Sequence, residues 1–240
     1  MHSSWVARRL SGRASDLIVR RTWHSRIALA GALTFACASC TLLQPVRTEP
    51  ASLFALEATF ESAPVRDVVP QPLVIAIPQA RPAFDSTRIV YVSRSYEVRF
   101  FARSQWIDTP ARMLAPLLVQ ALGASSRFQP VRSGAGVDAA LRLETEITTL
   151  QQEFTVRPSR VRFALRAQLV NVAEHRIVAT EELEAVEEAP SDDTYGGVVA
   201  ANQAVSRVLR ELTTRCEVYA AGSGSSGGSR RSVLHLQSGE

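Results

Sequence analysis

The feature that most constrains the fold is an alternation of apolar and charged residues in the second half of the chain. Leu141, Leu143, Thr145, Ile147 and Thr149 share one parity, and Arg142, Glu144, Glu146 and Thr148 share the other. Val161, Phe163, Leu165, Ala167 and Leu169 repeat the pattern, with Arg160, Arg162, Arg166 and Gln168 opposite. A period of two is expected of strands buried on one face and wet on the other. Residues 177–186 read as a third strand, joined to the second by a turn at 171–175. If neighbouring strands pair, acids of one face arginines of the next on the solvated side, each exposed pair contributing only ~0.2–1 kcal/mol.

The first half supplies shorter pieces. Leu53, Phe54 and Leu56 suit a first edge strand, in a stretch otherwise rich in Pro. The run 73–77 (LVIAI), ended by Pro78, reads as a buried strand. Residues 85–93, with Ile89, Val90, Tyr91 and Val92, form another, and 96–102 (YEVRFFA) a third, with a hairpin turn at Arg94-Ser95. A helix follows. Thr109 is placed as N-cap, Pro110 at the first helical position, and Met113, Leu114, Leu117, Leu118, Ala121 and Leu122 make one apolar stripe. Gly123 is the expected stop, and Pro116 an interior anomaly expected to kink the helix. A second helix is predicted from about Asp192 or Thr194 to Arg215, with Val198, Ala201, Val205, Val208, Leu209 and Leu212 on its core face. Strands, helix, strands, helix predicts an α+β domain: two helices packed on one face of a mostly antiparallel sheet.

The ends read differently. Arg20, Arg21 and Arg26 precede the apolar run 27–36 and the small residues Ala38 and Ser39, the pattern of a secretory signal and too short a run to span a bilayer. Cys37-Ala38-Ser39-Cys40 resembles the bacterial lipobox, with Cys37 where Leu is usual. That resemblance implies cleavage before Cys40, attachment of a diacylglycerol to that cysteine, palmitate in the lipid anchor, and, with Thr41 and no Asp after it, sorting to the outer membrane. The expected organisation is therefore a lipoprotein signal peptide over 1–39, a lipid-anchored tether and lead-in over 40–71, a periplasmic domain over 72–217, and a disordered Gly/Ser-rich tail over 218–240.

Charge and chemistry narrow the function. The chain carries 27 basic residues, every one Arg, against 23 acids. Residues 1–39 hold six of those Arg and one acid, so the remainder has 21 basic and 22 acidic residues and lacks the excess expected of a nucleic-acid binder. Residues 72–217 contain one histidine, His175, in a predicted turn, and one cysteine, Cys216, at the end of the last helix. No second His is present there to build a triad around a Ser or Cys. Two Gly/Ser motif matches in the tail (Gly222, Gly224, Gly227; Gly224, Ser226, Gly228) lack the flanking strand and helix such motifs need. The acids Glu181, Glu182, Glu184, Glu187, Glu188, Asp192 and Asp193 lack the spacing of a calcium loop and read as a solvated strand edge and helix start. The expectation is a chain that is not an enzyme and needs no cofactor or metal. Tyr96, Phe100, Phe101 and Trp106 admit two readings: core packing, or a partner- or lipid-contact surface.

The order of these features resembles the ABC-type transport auxiliary lipoproteins, the PqiC-like family. The motif residues are the strand 73–77 before Pro78, Asp85 ahead of Ile89-Val90-Tyr91, Tyr96, Phe100-Phe101, Trp106 and Pro110, the Leu-rich helix, and Phe128 with Val131. The meander turn at 171–175 departs from the family in lacking Gly. The resemblance extends over most of 52–215. It implies an accessory or docking subunit of a lipid or organic-solute transport system, working with an MCE-type periplasmic protein and an ABC permease and ATPase. A homo-oligomer would suit such a role. Two other readings compete: an outer-membrane lipoprotein that assists assembly of another envelope component, and an envelope hydrolase.

Overall fold

The computed structural model describes residues 50–62, 69–133 and 139–225; residues 1–49, with Cys37 and Cys40, and residues 226–240 lie outside them. In chain order the strands are β1 (Ser52–Phe54), β2 (Gln71–Ile75), β3 (Gln79–Ala80), β4 (Arg88–Val92) and β5 (Val98–Trp106), then helix α1 (Pro110–Gly123), β6 (Phe128–Arg132), β7 (Leu141–Glu153), β8 (Arg160–Asn171), β9 (Arg176–Glu188) and helix α2 (Thr194–Ser225).

Strand β7 is the spine of one open sheet. One of its edges carries β8 and then β9, both antiparallel. Its other edge carries β2, β3 and β4 in succession, each parallel to it, beside 141–143, 146–147 and 152–153. Parallel β6 flanks β2, antiparallel β5 flanks β4, and β1 is the outer edge beside β5. The long antiparallel ladders make the sheet mostly antiparallel, while short parallel contacts join the first half to it. The expected strand at 73–77 is cut short: β2 stops at Ile75, and Ile77 is exposed between β2 and β3.

The meander places its charges as the alternation implies. Arg166 lies 3.7 Å from Glu146 and 2.9 Å from Glu182, and Arg162 pairs with both Glu153 and Glu184. Phe163, Leu165, Leu143 and Ile147 fill the opposite, dry face. One expected position fails. A bulge between Ile147 and Thr149 shifts the register, so Thr149 opposes Ala164 and the inward residues become Leu150 and Gln152. The acidic run divides by parity as well. Glu182 and Glu184 meet Arg on β8, whereas Glu187 and Glu181 reach Arg207 (2.8 Å) and Arg215 (3.9 Å) on α2. At the turn before β9 the left-handed residue is His175, φ 50°, in the position where Gly costs least.

Both helices lie on the dry face. The α1 stripe Leu114, Leu118 and Leu122 and the α2 residues Val205, Val208, Leu209 and Leu212 are almost fully buried, each worth roughly 1.5–3 kcal/mol of burial. Helix α1 runs through Pro116 as one element. Thr109 is its N-cap residue, but its hydroxyl makes no cap bond; Asp108 Oδ1 instead accepts the Thr109 N–H at 2.7 Å. Gly123 is not the expected left-handed stop. It is the last helical residue, followed by Ala124 in right-handed conformation, and a Cβ there would meet the Pro130 ring at 3.4 Å, an ordinary van der Waals contact. Helix α2 also outruns its expected end, continuing to Ser225, so 218–225 is helix rather than tail. Cys216 and Ala220, one turn apart on its core face, stay buried.

Residues before the expected domain start belong to the fold. β1 pairs with β5, Leu56 is buried, and Asn202 of α2 clasps the backbone between them: its Oδ1 accepts the Glu57 N–H at 3.0 Å and its amide donates to the Ala55 carbonyl at 3.5 Å.

Candidate functional site

The four aromatic residues singled out in the sequence occupy four environments. Trp106 is core, 3 % exposed, at the end of β5. Phe100 opposes Val90 on the helix side and is capped by the Arg88 guanidinium, 3.6 Å from its ring centroid, a cation–π contact. Phe101 points to the other face, where it packs on Tyr91 at 4.6 Å and Phe154 at 6.3 Å. Tyr91 and Phe154 meet edge to face at 5.8 Å. Tyr96 stands fully exposed on the β4–β5 hairpin with φ 68°, an unfavourable conformation for a bulky side chain. Neither reading of the group holds for all of it.

Three connections meet at this end of the sheet. The Phe154 N–H donates to Val92 C=O at 2.8 Å, which ties the β7–β8 connection to the hairpin strand. The Ser159 N–H donates to Asp192 Oδ1 at 2.6 Å, which ties the same connection to the start of α2. Exposed Tyr96, Val98, Val156 and Tyr195 therefore share one end of the molecule. Sequence reasoning missed Tyr91, Phe154, Val156 and Tyr195. Phe154 and Val156 carry no periodic pattern of their own; only the pairing of β4 with β7 makes them neighbours of the hairpin.

A polar cluster stiffens that end. Asp193 caps α2: its Oδ1 accepts the Gly196 N–H at 2.7 Å and the Ser191 hydroxyl at 2.8 Å. These two bonds hold its carboxyl below the usual range. Buried Gln152 donates to Ser159 Oγ and to Asp193 C=O, both at 3.0 Å. Next to it on β7, burial pushes the Glu153 carboxyl up, but hydrogen bonds from Arg162, Arg160 and Gln151 outweigh it and bring the pKa to about 2.

On the helix side, residues 56–59, α1 and α2 enclose an open cleft of 980 Å³. Leu56, Leu117 and Val199 give it apolar walls; Gln120, Gln203, Arg207 and Arg210 give it polar ones. Its wall at 56–59 belongs to the extended segment after β1 that Asn202 clasps at Ala55 and Glu57.

The nucleophile and base candidates lie apart from these features. His175 is exposed on the meander turn. Burial, reinforced by the nearby carboxylates of Glu181 and Glu217, pushes the Cys216 thiol up to about 12, where thiolate is scarce at neutral pH. Among the described residues no His, Cys, Asp and Glu side chains group into a metal site, and no helix is long and apolar enough to cross a membrane.

The fold has solved counterparts. The crystal structure of XCC0632 from Xanthomonas campestris, of the DUF330 family, superposes with a TM-score of 0.64 at 20 % identity, covering 73 % of this chain and 99 % of that one. An uncharacterized protein superposes at 0.55 with 12 % identity, covering 70 % and 99 %. At these identities the likeness is one of fold. No curated protein matches the sequence. The model of the ABC-type transport auxiliary lipoprotein component matches residues 54–213, from β1 through most of α2 and two thirds of the chain. The chain belongs to the ABC-type transport auxiliary lipoprotein component family.

Proposed function

We propose that this chain is a non-catalytic docking subunit of an ABC/MCE-type system that moves a lipid or organic solute. It is held at the periplasmic face of the outer membrane by lipid on Cys40. The observation that carries the reading is the family match over 54–213. The tether supports it: eleven residues separate Cys40 from the start of β1, a reach of at most ~40 Å when extended, so the folded domain would stay close to the bilayer. The docking surface is the end bearing Tyr96, Val98, Val156 and Tyr195, exposed apolar and aromatic groups of the kind that anchor protein interfaces. Phe101, with Tyr91 and Phe154, forms the firm base beside it. The partner is an MCE-type periplasmic protein.

Two measurements test this. Palmitate labelling of the Cys40→Ala variant should vanish and the protein should leave the membrane fraction; continued labelling would refute the anchor. Wild type should co-purify with an MCE-type protein from solubilised envelopes. The Tyr96→Ala/Val98→Ser variant should retain labelling and lose that partner. Undiminished co-purification would place the contact elsewhere, and a wild type that brings down no MCE-type protein would sink the docking role.

A further inference from the structure

After β1 the chain crosses the helices as a strap. Residues 55–61 take up neither helix nor strand, and their burial alternates. Leu56 is buried and Ala58 and Phe60 pack partly against the core, whereas Glu57, Thr59 and Glu61 are exposed. A period of two is that of extended backbone. The strap follows the seam between the helices. Residues 56–59 wall the 980 Å³ cleft together with Leu117 of α1 and Val199 and Arg210 of α2. Residues 59–61 wall a second cleft, of 560 Å³, together with Ala121 of α1 and Thr213 and Thr214 of α2. Thr59 and Arg210 belong to both. Both helices are passed in the same direction, so the clefts succeed one another along the seam.

Little fastens the strap. Among the described residues its hydrogen bonds are the two to the Asn202 amide, from the Glu57 N–H at 3.0 Å and to the Ala55 C=O at 3.5 Å. Open clefts, not packed side chains, lie beside it. The helices beneath are held without it. Their buried stripes lie on the sheet, and Arg207 and Arg215 pair α2 with Glu187 and Glu181 of β9. A segment with few buried contacts and exposed backbone opens at a lower free energy than the whole domain unfolds.

We propose that residues 55–61 form a gate that lifts from the seam as one unit while the sheet and both helices stay folded. Asn202 is its latch. Lifting removes the wall common to the two clefts and leaves one trough along α2 from Val199 to Thr214, a length of about 22 Å. Leu117 and Ala121 lie on its floor, and the released Asn202 amide joins Gln203, Ser206 and Arg210 along its side. This opening does not depend on the transport role.

Thiol labelling of the full chain, read peptide by peptide in a mass spectrometer, tests it. Native Cys216, buried on the core face of α2, reports opening of the domain as a whole. Leu117→Cys and Ala121→Cys each place a thiol at a buried position of one cleft. Both should be labelled at least about tenfold faster than Cys216. Adding Asn202→Ala should speed both by a common factor, about fivefold or more, and leave Cys216 unchanged. Labelling of both positions in step with Cys216 would overturn the gate. Acceleration at one position and not the other would show two separate motions, against a single unit. Acceleration of Cys216 by the same factor would make Asn202 a fastening of the whole domain, against a latch. Should Leu117→Cys fail to fold, Leu56→Cys on the strap itself takes its place.

Discussion

Gly197 in the first turn of α2 stands so close to Gln152 of β7 that a Cβ at Gly197 would lie 2.1 Å from Gln152 Oε1. The Gln152 side chain cannot swing aside cheaply, because its amide is held by Ser159 Oγ and Asp193 C=O. Gly197→Ala is expected to destabilise the domain by about 1–3 kcal/mol in urea unfolding. Combining it with Gln152→Ala should cost less than the sum of the two single changes, a coupling that additive behaviour would disprove.

Glu153 makes stability depend on acid pH. Its folded pKa of about 2 lies below the usual carboxylate range, so between those values the unfolded chain binds more protons than the folded one. The contribution is complete above about pH 4.5 and disappears as pH falls through 2, amounting to about 2–3 kcal/mol. Urea titrations of wild type and Glu153→Gln should therefore differ most at neutral pH and converge toward pH 2. A gap independent of pH would mean that Arg160 and Arg162 do not act through the ionised carboxylate.

Tyr96 and Trp106, read together in the sequence, should part in experiment. Trp106→Ala empties a core position and is expected to cost about 3–5 kcal/mol. Tyr96→Ala removes a side chain fully in water and should move stability by no more than about 0.5 kcal/mol. Thermal unfolding of the two variants checks this directly.

Asn202→Ala removes both bonds of the clasp on Ala55 and Glu57, which should cost about 1–2 kcal/mol. The more telling readout is local: exchange at the Glu57 amide should accelerate while β7 and β8 amides keep their protection relative to global unfolding. Uniform acceleration throughout the domain would contradict a local fastening.

Much of this architecture was legible because it follows from local periodicity. Alternation over 141–149 and 160–169 identified β7 and β8 and their arginine–glutamate face, and the Leu stripe after Pro110 identified α1. What stayed hidden depends on contacts distant in sequence. Parallel pairing of β2, β3 and β4 along β7 leaves no mark on those strands themselves. Two consecutive threonines, tolerated on either face, concealed the bulge. The aromatic group misled because a strand sends neighbours such as Phe100 and Phe101 to opposite sides, so closeness in sequence meant separation in space. Gly/Ser composition set the end of α2 too early, whereas burial of Cys216 and Ala220 carries the helix onward.

The bulge at 147–149 means that β7 is read in two frames. Before it, odd-numbered side chains enter the core; after it, even-numbered ones do. One supernumerary residue thus stands between the two frames, and in the second Gln152 reaches inward to the start of α2 while Glu153 turns outward to its arginines. Deleting Thr148 would remove the extra residue and join the two frames into one regular alternation, with Gln152 still inward opposite Val161 and Glu153 still outward opposite Arg160. The helix end and the charged face are set by the same frame.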